Sequence, residues 1–316
     1  FDFFRKKLPF GVFQIGKAFR NEISPRQFTL RMREFTQAEA QLFIYKDQKN
    51  GFPLFEKYKN TKMPFWPWAL QEKDSPAAYM TLAEARTKFL KNDAYAYTLA
   101  LTYELFTAVG IPPTSMRLRQ HGPKEKAFYA EDAWDIEVKL KSFGWMEMCG
   151  VHDRTDYDLK QHAKHSKKEL GVSDETHKKE VPHVLEIAFG TDRMTFVLLD
   201  LLFNPQEMSE GKTTFHIPYH IAPIKAAIYP LVKKEGMPEI AKEIYDDLSK
   251  DFVCVYDQAG SIGRRYLRAA EQGIPYCITI DGDSIKNKTV TLRDRDTEKQ
   301  VVIKIDELKE TLRKKF

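Results

Sequence analysis
The chain has 316 residues, 42% apolar and 30% charged, with 50 Lys+Arg against 45 Asp+Glu and a formal net charge of +5. That length buries a substantial core and favours two domains. No apolar run approaches the roughly 18 residues of a helical membrane span, and the slight basic excess permits a polyanionic partner without demanding one.

The opening "FDFFRKKLPFGVF" has no initiator Met and no signal or transit pattern. It reads as the middle of a domain, so a longer protein is expected. Residues 10–45 read as two or three strands joined by a tight polar loop, "SPRQF", with Pro25 supplying the turn. Residues 51–125 look helical and irregular. "PFWPWAL" is a Pro-broken aromatic knot, and "TLAEARTKFLKNDAYAYTLALTYELFTAVG" carries helical periodicity ending at Gly110 before Pro112. "AEDAWDIEV" and "GWMEMCGV" alternate as strands. "DYDLKQHAKHSKKEL" resumes a helix stopped by Gly171, and "HVLEIAFG" is a strand running into the helix "DRMTFVLLDLLF", with Asp192 near its start. His162 and His165 in "HAKH" lack a nearby acidic or Cys partner to complete a metal site.

A domain boundary is expected around "FNPQEMSEGKTTF". Beyond it, strand-like and helical segments alternate through "HIAPIKAAIYPLV", "MPEIAKEIYDDLSKD", "FVCVYD", "SIGRRYLRAAEQG" and "PYCITID". The hairpin "KTVTLRDRDT" and "KQVVIKID" and the helix "DELKETLRKKF" follow. This is the pattern of a small α/β domain with a mixed sheet. Cys149, Cys254 and Cys277 are far apart in apolar surroundings, which points to reduced thiols and a cytosolic setting.

Side chains two apart on a strand share a face. Arg20 and Glu22 then point one way, as do Arg31, Arg33, Phe35, Gln37 and Glu39 on a regular strand. The spacing of Arg31, Phe35 and Glu39 also fits one helix face; the turn residues and the alternation of "LRMREF" favour the hairpin. Such a surface can clamp a phosphate, cover a nucleobase and receive an amine. The bland alternative is an edge hairpin with exposed ion pairs, each worth about 0–1 kcal/mol. Trp134 and Trp145 read as core. "GSIGRR" reads as helix entry, and Arg293 and Arg295 as hairpin ion pairs with Asp294 and Asp296.

"FRNEISPR…LRMREFTQAE" resembles motif 2 of class II aminoacyl-tRNA synthetases, in the form of archaeal and eukaryotic glycyl-tRNA synthetases. "WDIEV…FGWMEMCGVHDRTDYDLKQH" resembles the following strands of that family, and "HVLEIAFGTDR" resembles its motif 3. "IAPIKAAIYPLV…GSIGRRYLRAAEQGIPYCITID…TVTLRDRDT" resembles its anticodon-binding domain. The resemblance implies an α+β fold: an antiparallel catalytic sheet with flanking helices over 1–213, with a helical insertion around 51–125. An α/β anticodon-binding domain with a mixed sheet would follow over 214–316.

It further implies a cytoplasmic glycine–tRNA ligase using ATP and Mg2+, with glycine and tRNA(Gly) as partners and a homodimer built through motif 1, which is absent here. Carried over, Arg20 holds the α-phosphate and the glycine carboxylate, and Glu22 with Asn21 receives the adenine amino group. Arg31 reaches the phosphates with Met32 beside it, and Phe35 stacks on adenine. Glu147 and Met148 lie at the ATP site, with Glu147 as the Mg2+ ligand. Glu39 binds the ammonium, while Glu186, Ile187 and Ala188 line the glycine pocket. Arg193 caps the ATP, and Arg264 and Arg265 face tRNA. The sequence departs from the family's pattern at Ala188, where Ser is usual, and at "GTDR", where Asp192 either pairs with Arg193 or caps the helix. The alternative is a catalytically silent synthetase-like protein that binds nucleic acid or serves as a polymerase accessory subunit.

Overall fold
A computed structural model describes residues 7–173, 175–176, 179–204 and 213–316. The chain divides into two compact units, Phe1–Asp200 and Leu201–Phe316. Most of the polar stretch read as a boundary, 205–212, lies outside the described residues.

The first unit is built on one sheet of eight strands: β1 Phe10–Phe19, β2 Glu34–Ile44, β3 Lys62–Trp66, β4 Ala78–Thr81, β5 Met116–Gln120, β6 Asp132–Leu140, β7 Gly144–Asp153 and β8 His183–Gly190. Their order is β1-β2-β8-β7-β6-β5-β3-β4. Every neighbouring pair is antiparallel except β3 with β5. The segment expected to be helical therefore supplies three strands. These strands are four or five residues long, too brief for a periodicity of their own.

One-turn helices α1 Phe55–Tyr58 and α2 Trp68–Gln71 precede α3 Leu82–Lys88 and α4 Asp93–Ala108. The single periodic helix read over this stretch is thus two. Asn92 stops propagation by accepting from Tyr95 N at 2.8 Å, a side-chain cap that starts α4 afresh. The break also lets Phe89 turn inward to stack on Trp134 at 5.2 Å. Trp134 is fully buried, as a core residue should be.

Helix α4 covers one face of the sheet. Phe106 meets Phe189 edge-on at 5.9 Å, and Tyr95 donates to Val151 O at 2.7 Å. Strand alternation then sends Glu186 and Ala188 to the opposite, polar face. Helix α5 Tyr157–Ser166 stops five residues before Gly171, with Lys167 left-handed at φ 60° and Ser166 Oγ accepting from Lys168 N. Helix α6 Thr191–Leu202 follows β8 without a loop.

The second unit orders its strands β10-β9-β11-β12-β13, with β9 Ala226–Pro230, β10 Cys254–Tyr256, β11 Tyr276–Ile280, β12 Thr289–Asp294 and β13 Gln300–Lys304. The first three are parallel and the last two antiparallel, a mixed sheet. On one face Ile228 and Ile278 pack with Ala241, Ile244, Leu308 and Leu312; on the other, Tyr229 and Cys277 pack with Ala269 and Ile274. The helix Gly282–Asn287, capped by Asp281, has no counterpart in the sequence reading.

Candidate active site
The connection between β1 and β2 is a loop over residues 20–33 with one 3-10 turn, Phe28–Leu30, not a tight hairpin. Arg20, Glu22 and Arg31 accordingly sit on this loop and not on a strand face. Arg33 ties it down: Nε donates to Glu22 O at 2.8 Å, Nη2 to Ile23 O at 3.2 Å, and its carbonyl accepts from Arg20 N. Folded back this way, the loop stands over the end of β2. The Arg20 guanidinium lies 5.8 Å from the Phe35 ring centre, and Arg31 Nε lies 3.8 Å from a Glu22 oxygen.

The start of α6 is stitched to the same place. Asp192 Oδ2 accepts from Thr36 N at 2.6 Å, and Thr191 Oγ1 donates to Thr36 O at 3.2 Å. Asp192 therefore neither pairs with Arg193 nor caps its own helix; it joins α6 to β2. Arg193 then reaches Glu147 O with Nη1 at 3.1 Å. An open pocket of about 600 Å³, part of it bulk solvent, results, lined by Arg20, Glu22, Arg31, Met32, Phe35, Gln37, Glu147, Met148, Ala188, Asp192 and Arg193. Two stretches far apart in sequence meet because β8 lies directly beside β2.

Charges of both signs face one another across this pocket. Burial holds the Arg193 pKa below its usual value, and Arg20 and Arg31 push it the same way against the pull of Glu147 and Glu22. The Glu147 carboxyl, accessible from the pocket mouth yet walled by protein, is lifted by desolvation and by Asp135, against Arg193, His121 and Arg20. The guanidiniums of Arg20, Arg31 and Arg193 share the lining with the carboxylates of Glu22, Glu147 and Asp192, and a planar guanidinium fork suits the oxygens of a phosphate or carboxylate.

The rest of the polar face is read across the strands. Gln14, Glu39, Ala188, Gly150, Asp135, Arg119 and Trp66 are register neighbours in one row. Ala188 and Gly150 are the smallest members; the His152 ring covers Gly150, where an added Cβ would come within 2.7 Å of it, so the open hollow of the row lies over Ala188, which lines the pocket. Glu39 is held by Gln37 Nε2 at 2.8 Å and Gln41 Nε2 at 2.6 Å. Beside this row, Glu186 accepts from Arg154 at 3.2 Å, with His152 Nδ1 at 3.4 Å. Burial alone would lift its pKa, but His152 and Arg154 win and hold it below the ordinary carboxylate range. Glu186 therefore stays charged.

Three expected site residues fall elsewhere. Ile187 alternates to the α4 face and is buried, so its side chain cannot line a pocket shared by Glu186 and Ala188. Asn21 is exposed and outside the pocket lining. Arg265 is 2% exposed, with its guanidinium donating to Pro230 O at 2.6 Å and Leu231 O at 3.1 Å. It closes the end of β9 and cannot face tRNA, whereas Arg264 beside it is exposed. Arg295 pairs with Asp296 as read, but Arg293 pairs with Glu298 at 3.1 Å, not with Asp294.

Met148 keeps its place at the pocket through a bulge: Glu137 pairs with Glu147 and Ile136 with Cys149, leaving Met148 as the extra residue. Sequence reasoning passed over Asp135, Glu137 and Arg117. The alternation in "AWDIEV" signals the first two. Arg117 donates to Glu137 at 2.6 Å while its guanidinium lies over Trp66 at 3.6 Å and Trp145 at 4.2 Å. Trp145 thus faces the polar side, contrary to its expected core position.

Curated relatives carry the same pattern over almost the whole chain. It is 34% identical to glycine–tRNA ligase of Methanococcus vannielii, covering 99% of this chain and 69% of that one. The figures are 36%, 99% and 69% for the Methanocaldococcus jannaschii ligase, and 37%, 98% and 68% for that of Thermococcus gammatolerans. The chain belongs to the glycine–tRNA ligase family. Residues 225–315 match the anticodon binding domain family, which accounts for most of the second unit. The fold of this family member is also that of a class II synthetase. Prolyl-tRNA synthetase from Cryptosporidium parvum, solved with L-proline and AMP, superposes with a TM-score of 0.61 at 16% identity, over 97% of this chain and 55% of that one.

Proposed function
We propose that the chain activates glycine with ATP, forming glycyl-adenylate and pyrophosphate, and then transfers the glycyl group to tRNA(Gly). The observation that carries this reading is the convergence of Arg20, Arg31 and Arg193 with the Phe35 ring around one pocket. Arg20 holds the α-phosphate and the glycine carboxylate, Arg31 reaches the outer phosphates, and Arg193 caps the nucleotide. Phe35 covers adenine, whose amino group Glu22 accepts, with Met32 and Met148 bordering it.

A glycine carboxylate oxygen attacks the α-phosphorus in line, the bond to the bridging oxygen breaks, and pyrophosphate leaves. Fixed guanidiniums face the negative charge as it builds. The terminal tRNA hydroxyl then attacks the glycyl carbonyl carbon, and AMP departs. Glu39 and Glu186 receive the ammonium, while the Ala188 methyl and the His152 ring over Gly150 exclude larger side chains.

Glu147 fits Mg2+ in kind: a carboxyl pushed toward protonation by desolvation is one a divalent cation stabilises in its charged form. When bound, Mg2+ neutralises phosphate charge. tRNA engages the second unit, where Arg264 remains a contact candidate. A homodimer and a cytoplasmic setting complete the reading, the latter supported by three buried free thiols.

Glycine-dependent pyrophosphate exchange, with alanine and serine as controls, tests it. Exchange with glycine alone is expected, and Arg20→Ala should lower it by about 100-fold or more at unchanged circular dichroism. Exchange with alanine or serine but not glycine overturns the substrate. No exchange with any amino acid favours the silent relative.

A further inference from the structure
His121, Asp135 and His152 stand together on the polar face of the sheet, and none of them is assigned a contact with ATP or glycine. Their ligand atoms all lie within 4.8 Å of one another. His121 Nε2 is 2.8 Å from Asp135 Oδ2, and the two imidazoles meet edge-on with centres 5.6 Å apart. His152 turns Nδ1 toward Glu186 Oε1 at 3.4 Å, which leaves Nε2 as the ring nitrogen for another partner. Fixing one imidazole nitrogen on a carboxylate while the other binds a cation is how proteins orient metal-bound histidine. Arg119 approaches Asp135 at 3.6 Å, but its fork is engaged by Glu125 at 2.9 and 2.8 Å.

We propose that His121, Asp135 and His152 form a three-ligand site for a divalent transition cation of the Zn2+ class. Two imidazole nitrogens and one carboxylate oxygen suit such an ion, whereas Mg2+ prefers an all-oxygen shell. Three protein ligands leave a fourth position open. The His152 ring lies over Gly150, the register neighbour of Asp135, where an added Cβ would come within 2.7 Å of it. Bonds of about 2.0–2.1 Å at tetrahedral angles set ligand atoms about 3.4 Å apart. The His121–Asp135 pair therefore opens slightly on binding, and His152 swings in. The site stands independently of the glycine assignment, although Glu186, through His152, belongs to both.

The test is titration of the metal-stripped chain with Co2+, followed by displacement with Zn2+. One Co2+ per chain is expected, with the intense visible bands of four-coordinate cobalt. The bands should be absent from His152→Phe and Asp135→Asn, each checked for a wild-type fold by circular dichroism. Glu186→Gln should keep the bands with affinity about 10- to 100-fold weaker. The double variant His162→Ala/His165→Ala should bind as the wild type does, since that pair lies on α5 away from the cluster. A weak six-coordinate spectrum in the wild type, or bands that persist in folded His152→Phe, would overturn the site and leave His121–Asp135 an ion pair only.

Discussion

Ala188 shows how much one side chain decides on a crowded polar face. It lies between Glu39 and Gly150 in register, so its methyl group is the floor of the hollow assigned to glycine. Ala188→Val adds bulk there without touching the α4 side of the sheet. Overpacking of this kind costs about 1–3 kcal/mol, so the KM for glycine should rise about tenfold or more, with a smaller rise in the KM for ATP because Ala188 also lines the nucleotide pocket. Equal changes in both constants would mean that the hollow is not the glycine site. The residue types of the nucleotide pocket were legible in the sequence, because guanidiniums, an aromatic ring and carboxylates have few reasons to crowd into one stretch. Orientation was not. Arg265 and Arg264 look interchangeable in "GRRY", and only packing beneath Tyr229, at 5.4 Å from the ring centre, turns Arg265 inward.

At the scale of elements, local chemistry accounts for most boundaries, and its failures have causes. Thr81 ends β4 and opens α3 with a reciprocal cap: its hydroxyl accepts from Glu84 N at 3.2 Å, and Glu84 Oε2 accepts from Thr81 N at 2.7 Å. Thr81→Ala is expected to lower stability by about 1 kcal/mol in denaturant unfolding. A loss below a few tenths would show that sheet packing alone holds α3. The same stretch was read as one long helix, because apolar spacing continues across Phe89–Asn92. Periodicity reports which side chains want burial, and a break that buries Leu90 and stacks Phe89 on Trp134 satisfies that demand as well. β3, β4 and β5 escape sequence patterning for a related reason: strands of four and five residues have no pattern until neighbours complete them.

For the molecule as a whole, stability depends on charges that no local pattern announces. Lys49 is 3% exposed and reaches Asp153 and Glu131, each at 2.5 Å, with His183 Nδ1 at 3.2 Å. Burial, with the Lys49 charge, lowers the His183 pKa from 6.5 to about 4. The unfolded chain therefore takes up this proton first, and His183 makes stability fall as pH drops from about 6.5 through about 4. Asp132 works the other way, because burial pushes its pKa up to about 6 and acidification relieves it. His183→Asn removes only the first effect, so its unfolding free energy should decline less over this window than that of the wild type; parallel curves would exclude His183 as the cause. By itself the sequence determined residue chemistry, strand alternation and the succession of strands and helices in the second unit, since these depend on neighbours within a few positions, and family membership, since that rests on motifs spread along the chain. Which strands lie side by side, and hence that Arg193 meets Arg20 and that Glu39 meets Ala188, was decided only by tertiary structure. A strand's faces follow from its own period of two, but its neighbour is chosen by the burial of the whole sheet.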